Sequence, residues 1–117
     1  MRDALIVSTA RTPLTKSYRG TFNNTTAPTM AGWAIEEAVK RSEVDPDKVD
    51  DVIMGAALQQ GTTHANVARN AALAAGLPVT VSGMSLDRQC SSGMMAIATA
   101  AKQIISDGMD VVVGGGL

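Results

Sequence analysis

The stretch VSGMSL-DRQC-SSGMMAIATAA, residues 81–101, decides how this chain is read. Val81 to Leu86 suits a strand, although Gly83 weakens it. From Ser91 the pattern turns helical and runs to Asp107, with Gly108 as the expected C-terminal cap. Cys90 stands where the strand gives way to the helix. From Met94 to Ala101 that helix is apolar nearly all round, and such a helix is expected to be buried on every side.

Downstream, Val111 to Val113 reads as a strand running into Gly114-Gly115-Gly116. Upstream, Ala65 to Ala75 is an alanine-rich helix stopped by Gly76 and Pro78. Asp51 to Leu58 reads as a strand in which Gly55 signals close backbone approach. Pro28 opens a helix reaching about Arg41, with Ala31, Ala34, Ile35, Ala38 and Val39 on one face. Glu36 with Lys40, and Glu37 with Arg41, are spaced as i,i+4 pairs on the other. Asp45-Pro46-Asp47 makes a turn, and Thr15 to Thr26 has loop composition. Ala4 to Thr9, apolar and rich in β-branched residues, reads as a buried strand ended by Arg11-Thr12-Pro13. The order β-α-β-α-β-α-β predicts an α/β fold with a mostly parallel sheet and right-handed crossovers. Four strands and two other helices are too few to wrap the apolar helix after Cys90, so the unit is expected to be incomplete.

Bulk composition narrows the function classes. The chain has 117 residues, 45% of them hydrophobic, with one Trp, one Tyr and one Phe. A core must therefore come from Ala, Val, Ile, Leu and Met. A net charge of -1 gives no electrostatic reason to expect nucleic acid or an anionic membrane. One cysteine forms no intrachain disulfide and no cysteine-based metal cluster, and it suits a reducing compartment. The apolar run at Ala4 to Val7 is too short for a signal-peptide core, and no stretch is long enough for a bilayer span. A cytoplasmic protein is expected.

Cys90 carries the chemistry. A helix N-terminus offers unpaired N–H groups and roughly half a positive charge, which favour thiolate over thiol. The same N–H groups can stabilise the oxyanion formed when a thioester carbonyl is attacked. Ser91 and Ser92 are capping types, and Gly93 lets a backbone or ligand come close. Spacing alone favours a small structural cysteine at the edge of an alanine-rich core.

Asp87-Arg88-Gln89-Cys90-Ser91-Ser92-Gly93, followed by Met94-Met95-Ala96-Ile97, closely resembles the nucleophile segment of thiolases, the acetyl-CoA acetyltransferases and 3-ketoacyl-CoA thiolases. Three further segments resemble the family in the same order. Ser8-Thr9-Ala10-Arg11-Thr12-Pro13 looks like its opening strand and turn. Asn66-Val67-Ala68-Arg69-Asn70 through Ala75-Gly76-Leu77-Pro78 looks like its second helix and stop. Gly114-Gly115-Gly116 looks like its glycine-rich strand end. The related ketoacyl synthases fit the Arg-Gln-Cys-Ser-Ser-Gly context less well.

The resemblance implies a thiolase-like fold of two similar halves, with residues 1–117 forming part of the N-terminal half and a central buried helix following Cys90. It implies an acyltransferase in which Cys90 takes an acyl group from acyl-CoA. Claisen condensation with acetyl-CoA then follows or, in reverse, CoA-dependent thiolysis of a 3-ketoacyl-CoA. Coenzyme A esters are then substrates, with no covalently bound cofactor and no metal. A homodimer or homotetramer is the implied assembly.

The family also uses a histidine in a Gly-His-Pro segment, a second cysteine in Cys-x-Gly and an Asn-Glu-containing segment. None of the three is present here, and His64, before the second helix, is expected to be an ordinary loop residue. The 117 residues alone are therefore expected to be inactive without the segment carrying the histidine and second cysteine, and no residue is assigned to coenzyme A. Two other readings stand beside this one: a non-catalytic assembly fragment of the same fold, and a redox-sensing cysteine protein. Asn66 and Arg69 suit either a subunit contact or a solvated helix face. Arg11 suits a turn anchor, Asp87 and Arg88 suit loop positioning, and Met94 and Met95 suit core filling or the border of an acyl pocket.

Overall fold

The computed structural model describes all residues, Met1–Leu117. Three helices and three strands alternate: α1 (Ala27–Ser42), β1 (Asp51–Gly55), α2 (Val67–Ala74), β2 (Ser82–Leu86), α3 (Ser92–Lys102) and β3 (Val112–Gly116). The strands form one parallel sheet in the order β2-β1-β3. β1 to β2 is a step in one direction, and β2 to β3 returns across β1 in the other. With right-handed crossovers, opposite steps put α2 and α3 on opposite faces, and the packing is of that kind. α1 and α2 cover one face, where Val52 and Met54 join Ile35, Val67 and Ala71 in the main core. α3 covers the other, where Ile53 meets Ala96 and Ala100. Successive residues of β1 thus point to opposite layers, as a pleated strand requires.

Helix limits follow local chemistry. Pro28 sits in the first turn of α1, and Glu43 closes that helix in the left-handed region at φ 59°. Asn66, itself at φ 61°, caps α2 by accepting from the Arg69 amide, and its Nδ2 donates to the Gly83 carbonyl. The Arg69 guanidinium donates to the carbonyls of Val79 and Val81. Both residues thus tie α2 to the strand that follows. Leu77 and Gly76 amides close α2 onto Ala72 and Leu73 carbonyls, as the Gly76–Pro78 stop suggested. α3 passes into a π-helical turn, Gln103–Asp107, ended by Gly108 at φ 80°. Of the two expected i,i+4 pairs only Glu37–Arg41 forms, at 2.7 Å; Glu36 and Lys40 make no ion pair.

One expectation is corrected. Ala4–Thr9 is not a strand: residues 1–16 have no regular secondary structure and no backbone–backbone hydrogen bond. β-branched composition supplies propensity, but a strand exists only by pairing. The segment is instead tied by side chains. Ser8 Oγ donates to the Ala38 carbonyl at 2.7 Å, Arg41 donates to the Thr9 carbonyl at 3.0 Å, and Arg2 pairs with Asp110. A mostly apolar cleft of about 1000 Å³ separates it from β3, between α1 and α3. α3 is not buried all round, in keeping with the expectation that the elements present are too few to wrap it. Ser92, Ala96 and Ala100 face the sheet and are buried, whereas Met94 is 71% and Ile97 45% exposed toward that cleft. The observed order is therefore α-β-α-β-α-β, with the first expected strand missing from the sheet. No helix is long and apolar enough to cross a membrane.

Candidate active site

The site lies beyond the C-terminal ends of the strands, beside the point where the chain's direction across the sheet reverses. Open parallel sheets form crevices there, because the crossovers leave toward opposite faces. Register brings Gly55, Leu86 and Gly116 level with one another. The turn Asp87–Ser91 leaves β2 at that level and feeds α3.

Within the turn Gln89 has φ 49°, left-handed for a residue with a Cβ. The carboxylate Oδ1 of Asp87 accepts from the Gln89 amide at 2.7 Å. Ser92 Oγ accepts from the Arg88 amide at 2.8 Å and donates to the Gln89 carbonyl at 2.6 Å. The Asp87 side chain thus positions the loop, as read from the sequence, whereas Arg88 contributes its backbone amide. The hydroxyl of Ser91 makes no cap, so the expected cap is replaced by the backward-reaching Ser92, whose side chain is buried.

Cys90 lies in this turn and is exposed, not buried at a core edge. It borders a small cleft of about 340 Å³ with Gly55, Ala57, Gln89, Ser92, Gly93 and Gly116. The amides of Gly93 and Met94, in the first turn of α3, have no backbone partner, as expected of a helix N-terminus. Cys90 and Gly93, which carries one of the unpaired amides, therefore line one cleft.

Two glycines permit that arrangement. A Cβ on Gly55 would lie 2.1 Å from the Ser92 carbonyl carbon, and one on Gly116 would lie 2.7 Å from the Gly93 Cα. The start of α3 rests directly on bare strand ends. The sequence reading of Gly55 as a close-approach residue anticipated the first contact.

Other singled-out residues lie elsewhere. His64 is exposed after the 3₁₀ turn Gly61–Thr63 and does not line the Cys90 cleft. Met94 borders the larger cleft, Met95 neither, and Arg11 is exposed without an ion pair. The brace at Ser92 was not legible, because serine at a helix start signals an ordinary cap.

Comparison with known proteins gives a consistent result. The family model for the thiolase N-terminal domain matches residues 4–117. The chain is 36% identical over 115 residues to the peroxisomal 3-ketoacyl-CoA thiolase 2 of Arabidopsis thaliana, covering 98% of this chain and 25% of that one. It is 36% identical over 116 residues to a 3-ketoacyl-CoA thiolase of Bacillus subtilis (strain 168), covering 99% of this chain and 30% of that one. The crystal structure of the Bacillus anthracis acetyl-CoA acetyltransferase superposes with a TM-score of 0.92 at 46% identity, over 99% of this chain and 29% of that one. The chain thus spans between 25% and 30% of the length of these relatives.

Proposed function

The chain belongs to the thiolase family, and from that premise we propose that Cys90 is the acyl-accepting nucleophile of an acyl-CoA C-acyltransferase. The observation that carries the proposal is an exposed thiol sharing one cleft with the first turn of α3. The Cys90 thiolate attacks the thioester carbonyl, and the unpaired amides of that turn receive the developing oxyanion. Coenzyme A leaves as its thiolate, and the acyl group stays on Sγ. The α-carbon of a second CoA ester then attacks this acyl group, forming the carbon–carbon bond of a 3-ketoacyl-CoA and releasing Cys90. Thiolysis runs the same steps backward, with CoA attacking the acyl-enzyme.

The second step needs a base for the α-proton. Cys90 is the chain's one cysteine, and its one histidine, His64, lies outside the cleft. In this proposal the base and the group activating Cys90 come from a thiolase segment outside residues 1–117, and the 117 residues alone give no steady turnover. The lone exposed thiol suits a reducing compartment such as the cytoplasm. Intact mass after incubation with acetyl-CoA tests the assignment, on this chain and on a polypeptide of relative length containing it. One acetyl group on the longer polypeptide, absent in Cys90→Ser, is expected. An acetylated Cys90→Ser variant, or steady acetoacetyl-CoA turnover by the 117 residues, would overturn it.

Assembly as a homodimer or homotetramer belongs to the same proposal. It is favoured by β2, an edge strand with Met84 and Val79 exposed beside it, since an open edge is a pairing surface. Sedimentation of the longer polypeptide is expected to give a dimer or tetramer, and a monomer at micromolar concentration excludes it.

A further inference from the structure

The turn that presents Cys90 holds a residue in a conformation its side chain disfavours. Gln89 sits at φ 49°, where a Cβ crowds the backbone and glycine would be free. Gln89 lacks the short polar side chain with which Asn or Asp eases that region. Such a conformation persists only when its surroundings over-determine it.

Two side chains supply the surroundings, together with the Ser92 backbone N–H, which donates to the Gln89 carbonyl at 3.0 Å. Asp87 Oδ1 takes the Gln89 N–H at 2.7 Å, and Ser92 Oγ gives its proton to the Gln89 carbonyl at 2.6 Å. Ser92 Oγ also takes the Arg88 N–H at 2.8 Å. The hydroxyl is thus used both as donor and as acceptor, and Ser92 is only 4% exposed, so water does not readily replace it. The same residue's carbonyl packs against Gly55 at the end of β1. A rigid path runs from the sheet through Ser92 to the residue preceding the nucleophile.

We infer that Ser92 and Asp87 are positioning residues for Cys90, locking Gln89 in the left-handed region so that the thiol stands at the cleft beside the first turn of α3. The inference rests on the reading of Cys90 as nucleophile. Neither residue touches the reacting atoms. They set the direction from which Sγ meets a carbonyl, and small misplacements there are costly because acyl transfer requires alignment with the oxyanion donors. Alkylation of the same thiol by a small halide has no oxyanion and is far less demanding.

The winding is measured on the 117-residue chain, and the acetylation on the longer polypeptide that contains it. NMR of labelled protein reports the φ of Gln89 through its amide–Hα coupling and its Cα and Cβ shifts. Gln89 is expected to be left-handed in the wild type and in Asp87→Asn, which keeps the acceptor. It is expected to leave that region in Ser92→Ala and Asp87→Ala. Acetylation of Cys90 by S-phenyl thioacetate is expected to fall about tenfold in Ser92→Ala, while alkylation by iodoacetamide stays within about twofold. Adding Gln89→Gly to Ser92→Ala is expected to restore acetylation to within about threefold, because glycine adopts positive φ without a brace. Gln89 remaining left-handed in both alanine variants overturns the inference. So does an equal fall in acetylation and alkylation that Gln89→Gly does not restore. A wild-type Gln89 that is left-handed beside a Cys90 that, in the longer polypeptide, alkylates but takes no acetyl group counts against the nucleophile, and the NMR comparison still decides the brace.

Discussion

Gly55→Ala is expected to lower the thermal midpoint of this chain by on the order of 10–20 °C. The added methyl carbon would stand 2.1 Å from the Ser92 carbonyl carbon, 2.2 Å from its oxygen and 2.6 Å from the Gly93 nitrogen. All three are backbone atoms, so no side chain can swing aside; β1 or the start of α3 must move. Overpacking usually costs about 1–3 kcal/mol, and a clash with main chain on both sides of a helix start belongs at or above the top of that range. Gly116→Ala offers a graded comparison, since its nearest contact is the Gly93 Cα at 2.7 Å. Circular dichroism melts of the two variants check the order. A fall of less than about 3 °C for Gly55→Ala, roughly half a kcal/mol in a domain of this size, would show that α3 does not rest on β1 as described.

Ile53→Ala is expected to cost about 3 kcal/mol, within the 2–5 kcal/mol range for removing a buried aliphatic side chain. Ile53 is fully buried, and its buried partners across the interface with α3 are the alanines Ala96 and Ala100. Alanine cannot lean into a cavity, so the gap collapses poorly. Leu86 and Val112 are only partly buried around it. The loss should also be directional. Val52→Ala, on the opposite face of the same strand, should cost less because a smaller side chain is truncated, and should leave α3 undisturbed. Urea midpoints measure the size of both losses. Hydrogen exchange of the α3 amides measures their direction, with faster exchange expected at sub-denaturing urea in Ile53→Ala alone. Equal acceleration in both variants would mean that the two layers unfold as one unit.

These contacts explain which parts of the molecule could be read from residues. The stops of α2 and α3 were legible because Gly76 and Gly108 do local work, closing the helices through bonds a few residues long. The α/β alternation was legible for the same reason, since strand and helix periods are local. Ala4–Thr9 was misread because hydrophobicity records what a segment prefers to touch, not whether an edge lies within hydrogen-bonding distance. The exposure of the apolar Met94 and Ile97 agrees with the reading that the elements present are too few to wrap α3. At the site, Cys90 and its strand–helix junction were visible, and so was Gly55. The winding of Gln89 was not, because glutamine carries no preference for positive φ and the cause lies in two side chains whose roles depend on the folded turn.

The pleat of β1 divides the demands on this sequence into two accounts. Val52 and Met54 answer to α1 and α2, whereas Ile53 answers to the helix that carries the chemistry. Substitutions could therefore accumulate in the α1–α2 layer, altering stability or assembly, without re-aiming the cysteine. A library that varies Ile35, Val67 and Val52 together while holding Ile53, Ala96 and Ala100 fixed would explore robustness separately from reactivity.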